Sequence, residues 1–390
     1  MSVSPKILAA TLLVAGVAAL PGEAAGACTI RLTAFDASGF PVASADGYGT
    51  GADGMVLAPL SIATAGVQRW TRLVATREPS AGSIPDTTPF EAPVEDVRRV
   101  DRDHDLAFLH APGLPPCNVP GSDPGTDVGR DGSSARSPLP GTILSGVRDL
   151  RGYRTREFRA QVERHLHGPG GAEILIARLM DPGGAESGLL FDAAGDLAAV
   201  ILPPPPDGDP DRIAAVRYAI GNDTPAGTPA PVRDALSVAA AAGAPPVRLF
   251  AQAILINRDD QADRALRLLE QTARLAGEFD DLVLERGLRR FRLGRTEMAI
   301  EDFSRLASRL PGHHAAHYNL GVALGAAGRF ADAIEAFRAA ASIDPAHPGT
   351  RFQLALAQAA LGHPGAREQY EALRGLDDRM ADDLKAILAF

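Results

Sequence analysis

The strongest constraint on this chain is a spacing. Gly287 and Gly321 lie 34 residues apart, and the same interval separates Gly294 from Gly328, Ala299 from Ala333, Phe303 from Phe337 and Pro311 from Pro345. A period of this length, with small and aromatic residues recurring in phase, describes a two-helix unit that cannot bury its apolar face alone, so several copies must stack. The small residues let paired helices approach, and the aromatic residues fill the gaps between them. From about residue 246 onward the sequence is rich in Ala, Leu and Arg with helical periodicity, whereas the preceding stretch reads as short alternating strands.

The repeating part resembles the tetratricopeptide repeat. Residues 314–347 carry the pattern best, with Asn319-Leu320-Gly321, Gly328-Arg329-Phe330, Ala333, Phe337, Ala340 and Pro345. Residues 280–313 also fit, residues 246–279 keep Ala265 and Leu269, and residues 348–381 keep Leu354 and Gly362 before slipping by one. The tail to Phe390 is expected as a capping helix. The resemblance implies a concave groove that takes a protein or peptide partner. By family analogy it is lined by Phe250, Ile254, Leu284, Leu288, Phe291, Tyr318, Val322, Phe352 and Leu356. Such a groove is apolar, without the Lys and Asn pattern that some of these domains use to clamp a terminal carboxylate. The alternative is that several of these side chains pack against neighbouring helices or the preceding domain.

Five segments ahead of residue 243 follow one another in a recognisable order. Asp53-Gly54-Met55-Val56-Leu57-Ala58-Pro59-Leu60-Ser61-Ile62 resembles the "DG-x-I-L-T-N-x-H-V" segment of trypsin-like, HtrA-type serine peptidases. Asp103-His104-Asp105-Leu106-Ala107-Phe108-Leu109 is similar to that family's "D-L-A-L-L" segment. Gly184-Ala185-Glu186-Ser187-Gly188-Leu189-Leu190-Phe191-Asp192 is similar to its nucleophile loop, "G-N-S-G-G-P-L-F-N". Gly195–Ile201 and Val216–Ile220 resemble two later barrel strands. The resemblance implies a double β-barrel.

The chemistry expected of such a barrel is disarmed. The general base falls on Ser61, the orienting carboxylate on Asp105 and the nucleophile on Glu186. A hydroxyl does not accept a proton near neutral pH as an imidazole does, and the triad works as a unit. No catalysis is expected. The alternative is a divergent serine endopeptidase in which one deletion makes Ser187 the nucleophile, recruited to its substrates by the repeats. Ser187 would still need a base. His104 adjoins Asp105, where strand alternation turns it to the opposite face, and His165 and His167 are expected in a Gly-flanked surface loop. Those two histidines lack carboxylate or Cys partners at ligand spacing, so no metal is expected. No cofactor motif stands out; Gly49-Thr50-Gly51 reads as a β-turn.

Residues 1–27 read as a secretory signal: Lys6, an apolar run from Ile7 to Leu20, then Ala24-Ala25-Gly26-Ala27. The run is short for a membrane span, and the mature protein is expected to be periplasmic or secreted. Cys28 follows directly, which leaves lipid anchoring open, although Ala25 occupies the position where a lipoprotein signal usually has Leu. The only other cysteine is Cys117. Since trypsin-like domains can tie the start of the chain to the segment after the triad Asp, a Cys28–Cys117 disulfide is implied. A net charge of −9 and a pI near 5.5 argue against nucleic acid as a general partner. The expected architecture is therefore multidomain. An all-β trypsin-like double barrel spans 28–243, and an all-α tetratricopeptide solenoid spans 246–390.

Overall fold

The computed structural model describes residues 28–388 except 51–53, 61–66, 68, 78–88, 116–137, 150–154, 182–187, 194–195, 207 and 218–227. The first sheet is formed by β1 (Thr29–Asp36), β2 (Pro41–Gly49), β3 (Met55–Pro59), β4 (Trp70–Arg77), β5 (Phe90–Pro93), β6 (Asp96–Asp101) and β7 (Leu106–His110), with β14 (Ala230–Pro231) added on β6. Its strand order is β14-β6-β7-β3-β2-β1-β4-β5. Only Val94 and Glu95 separate β5 from β6. The Val94 N–H donates to the Leu73 carbonyl at 2.9 Å and the Glu95 N–H to the His110 carbonyl at 2.8 Å. β5 and β6 are thus halves of one bent strand, the first paired with β4 and the second with β7. That bend brings the two ends of the sheet together.

The second sheet closes completely. It contains β8 (Ile143–Asp149), β9 (Thr155–His167), β10 (Glu173–Leu179), β11 (Leu189–Phe191), β12 (Leu197–Ile201) and β13 (Arg212–Arg217), in the order β10-β13-β12-β11-β8-β9. With β5 and β6 counted as one strand, both sheets follow the same antiparallel path. Taken around the ring, each visits its strands first, second, third, sixth, fifth, fourth.

The second barrel is apolar on both faces along several strands. Leu175, Ala177, Leu190, Ala199, Ile201, Ile213 and Ala215 share one core inside it. The alternate residues Ile174, Ile176, Phe191, Val200, Ala214 and Val216 belong to a different, larger core. Side chains alternate with a period of two, so both sides of these strands are covered, and their sequences read as near-continuous apolar runs. The larger core also contains the first barrel and the early helices. Between the barrels, the Tyr48 and Phe191 rings lie 6.1 Å apart.

The helical part runs α1 (Val232–Ala241), α2 (Pro246–Leu255), α3 (Ala262–Ala276), α4 (Asp280–Arg292), α5 (Thr296–Arg309), α6 (His314–Ala326), α7 (Phe330–Ile343), α8 (Pro348–Ala360), α9 (Ala366–Arg374) and α10 (Asp378–Leu388). The 34-residue period has a direct physical cause here. A methyl group on Gly287 would fall 2.5 Å from the Phe303 ring, and one on Gly321 would fall 2.6 Å from the Phe337 ring. Gly287 of α4 and Gly321 of α6 each admit a phenylalanine from the helix that follows. Gly294, Gly328 and Gly362 stop α4, α6 and α8 with φ of 71°, 74° and 64°, a conformation costly for any residue with a Cβ. Among the described residues no single helix is long and apolar enough to cross a membrane; α1 and α2 pass that test only as a pair bent by 57°, and most of α2 is buried.

Candidate functional site

The loop joining β6 to β7, residues 102–105, touches four parts of the molecule. Asp105 is wholly buried, and its φ of 60° is the only positive value at a described non-glycine residue. Aspartate tolerates this left-handed region better than most residues, but its occupation still marks a position fixed by its surroundings. What fixes it is Arg248, near the start of α2. The Arg248 Nε donates to Asp105 Oδ2 at 2.8 Å and Nη2 to Oδ1 at 2.6 Å. This is a two-pronged guanidinium–carboxylate fork. Burial pushes the Asp105 carboxyl upward and the Arg248 fork pulls against that, leaving its pKa raised.

The residues around Asp105 extend the junction. The Arg102 guanidinium donates to the carbonyls of Ala239 at 2.9 Å, Ala242 at 3.3 Å and Gly243 at 3.0 Å, satisfying the orphan acceptors at the end of α1. A methyl group on Gly170, in the second barrel, would lie 2.8 Å from the Asp103 carboxyl carbon. The His104 ring turns back to Asp101, with Nδ1 3.1 Å from both carboxylate oxygens. That hydrogen bond raises the His104 pKa against the opposing effect of burial. Burial alone would raise Asp101, yet its bonds to His104 and the His104 charge hold it below the usual carboxylate value.

The positions that the peptidase resemblance singles out are represented unequally. The Leu60 N–H donates to the Asp105 carbonyl at 2.7 Å, which holds the chain just before Ser61 against Asp105. Ser61 itself lies outside the described residues, as do Glu186, Ser187 and Cys117. Cys28 is described and buried. Asp105, the position on which the resemblance puts the orienting carboxylate, is forked by a side chain 143 residues away. His165 and His167 are not in a loop, as expected from the sequence, but end strand β9. The loop signal Gly168-Pro169-Gly170 begins just after them, where the chain turns into β10. His165 Nε2 is 3.7 Å from Glu173, and His167 Nδ1 is 3.5 Å from Asp281 at the start of α4. Among the described residues no group of three or more His, Cys, Asp or Glu is placed to hold a metal.

The second barrel docks on the inner helices. Arg164 of β9 bonds Glu285 of α4 at 2.5 Å, the His167 backbone N–H donates to Asp281 at 2.6 Å, and Gln252 of α2 donates to the Pro203 carbonyl at 3.1 Å. This docking corrects part of the expected groove. Phe250 is fully buried, edge-on to Phe279 with ring centres 5.0 Å apart, and Ile254 and Leu284 are buried too. These three are interior packing, because the barrels cover the first inner helices. Leu288, Phe291, Tyr318 and Val322 are half-buried against the main core, and Phe352 and Leu356 against the last helices. On that remaining face His314, Tyr318 and His347 pack ring to ring, with His314 and His347 centres 4.5 Å apart. Thr350 bonds both histidines, at 2.9 and 3.0 Å.

Sequence reasoning missed Arg248 and Arg102. One signal was present: Arg248 is the lone charge in Pro246–Leu255, a helix otherwise almost entirely apolar.

The tetratricopeptide-repeat family model matches residues 284–348, and the C-terminal helices within that span are tetratricopeptide repeats. No curated protein matches the chain. Similar solved structures include MamA residues 41 to the end from Desulfovibrio magneticus RS-1, at 18% identity and TM-score 0.33 over 34% of this chain and 76% of that one. A MamA from AMB-1 is 22% identical, with TM-score 0.33 over 38% of this chain and 82% of that one. YrrB, described as a TPR protein with an unusual peptide-binding site, is 18% identical, with TM-score 0.35 over 40% of this chain and 79% of that one.

Proposed function

We propose that this chain is an exported, non-catalytic binding scaffold. In this reading a trypsin-like double barrel with a dismantled triad carries a tetratricopeptide array that engages a protein or peptide. One observation carries the loss of catalysis: the Asp105 carboxylate is consumed by Arg248. A triad carboxylate must hold the imidazole N–H of its base, and here a guanidinium from α2 takes both of its oxygens. Ser61 and Glu186 point the same way, since neither the base nor the nucleophile position carries the residue type the chemistry needs. The shared strand path of the two barrels supports the trypsin-like assignment. The repeats supply the binding function through the half-buried face that includes Leu288, Phe291, Tyr318, Val322 and Phe352. Export and a mature start near Cys28 complete the reading, with residues 1–27 as the signal.

A fluorophosphonate probe tests the catalytic half. The full chain is expected to remain unlabelled, and Ser61→His with Glu186→Ser is expected to remain unlabelled while Arg248 is present. Adding Arg248→Leu to that pair frees Asp105 and is expected to restore some labelling. Strong labelling of the unaltered chain, lost in Ser187→Ala, would overturn the reading in favour of a peptidase.

A further inference from the structure

Arg289 of α4 is only 5% exposed, yet no carboxylate among the described residues bonds it. Its guanidinium offers five N–H donors. Among the described residues the Nε N–H meets no acceptor, and Nη2 reaches the Ala253 carbonyl alone, at 3.4 Å, the far limit of a hydrogen bond. A guanidinium does not shed its proton near neutral pH, so a positive charge stays buried there. Elsewhere the chain pairs such groups. Arg248 is forked by Asp105, and Arg286 and Arg290 both bond Asp302 at 2.7 Å.

The surroundings of Arg289 add to the surplus. After burial, the influences that lower its pKa are the charges of Arg292, Arg164 and Arg212, opposed by Glu285. Glu285 is already bonded by Arg164, and Arg212 is matched by Glu163 at 2.8 Å. Arg292 is exposed and reaches only Asn257 Oδ1, at 3.4 Å. Among the described residues, four guanidiniums from β9, β13 and α4 therefore share two carboxylates, which bond Arg164 and Arg212 and leave none bonded to Arg289.

We propose that this junction of the second barrel with α2 and α4 is a carboxylate-binding site, with Arg289 as its buried anchor and an acidic group of a peptide partner as its ligand. A planar carboxylate matches the guanidinium fork. A single negative charge balances the one buried cation left without a carboxylate; Arg292, the other, is exposed to solvent. The peptide source rests on the scaffold reading; the anion chemistry is tested without it.

The probes are sodium acetate and inorganic phosphate at about 0.1 M, compared with chloride at matched ionic strength on the full chain. Acetate is expected to raise the Tm by about 2–4 °C. Arg289→Met is expected to abolish that response and, without acetate, to unfold at the same or a higher temperature than the original chain, because an uncompensated charge has gone. Arg289→Lys keeps the charge without the fork and is expected to lose most of the response. No acetate effect, an equal effect on Arg289→Met, or a Tm loss or failure to fold in Arg289→Met would overturn the site. A phosphate response larger than the acetate response, and dependent on Arg289, would overturn the carboxylate assignment. Partner capture that fails in a Tyr318→Glu variant but survives Arg289→Met would remove this site and leave the scaffold reading standing.

Discussion

Asp105 and Asp302 are both fully buried, but they serve different regions in different ways. Asp302 sits on α5 and is held within the array by Arg286 and Arg290 of the neighbouring α4. Those cations have further carboxylates: Glu278 bonds Arg286 at 2.6 Å, and Glu270 lies 3.6 Å from Arg290. Asp105 sits in a turn of the first barrel and is forked by one arginine of α2. The array's ion network is local and redundant; the first barrel's Asp105 reaches α2 through one long-range ion pair, while the second barrel meets α4 separately through Arg164–Glu285 and His167–Asp281. The array's cations therefore keep other carboxylates when one member is lost, whereas Asp105 and Arg248 each rest on the other.

The largest expected effects break that contrast. Arg248→Met strands the Asp105 carboxylate and is expected to cost about 3–5 kcal/mol. Thermal unfolding should then separate into barrel and array transitions by calorimetry. Asp302→Ala leaves two arginines with other carboxylates in reach and is expected to cost about 2–3 kcal/mol. Its unfolding should begin within the array. Equal losses with a single shared transition would erase the distinction between local and long-range anchoring.

Glycines sharpen the picture of the array at intermediate cost. Gly287→Ala drives a methyl group into Phe303 and is expected to cost about 1–2 kcal/mol, after the helix preference for Ala offsets part of the clash. Gly294 has open space around it, so Gly294→Ala meets only the penalty of its positive φ, about 1 kcal/mol. Urea unfolding of the two variants checks the order; a larger loss at Gly294 would mean that turn geometry outweighs the Gly–Phe contact.

The smallest expected effect depends on pH and comes from His104 and Asp101. The His104 pKa is raised in the folded state, so its contribution is complete below its unfolded value of about 6.5 and is lost as pH rises through the folded value. Asp101 is lowered, so its contribution is present above about 3.9 and is lost as pH falls through the folded value. The pair therefore contributes most between about pH 4 and 6.5. His104→Gln is expected to lose about 0.5–1 kcal/mol at pH 5.5 and less at pH 8.5. Chemical denaturation at the two pH values checks the sign, and a larger loss at pH 8.5 would contradict it.

The array was legible in the sequence because its causes recur. Gly287 must be small to admit Phe303, and 34 residues later the same need appears at Gly321 and Phe337. The strands of the second barrel read as short alternating strands, whereas both of their faces are covered in the fold. The candidate site was legible only in part. The pattern marked Asp105 as important, but one sequence carries no signal that a residue 143 positions away will take its carboxylate. Phe250 failed as a groove residue for the same reason. Its place in the repeat is that of an inner-helix residue, but the covering surface comes from the barrels. Period and alternation are properties of an element, whereas burial between domains belongs to the assembled fold.

The most direct measurement is a double-mutant cycle between Asp105 and Arg248 in the full chain, using Asp105→Leu, Arg248→Met and the pair. Denaturant unfolding is expected to give a coupling of about 2–3 kcal/mol, with the double variant more stable than either single one. A coupling near zero would mean that Asp105 is not the anchor of the helical array, and its place in a working triad would be open again.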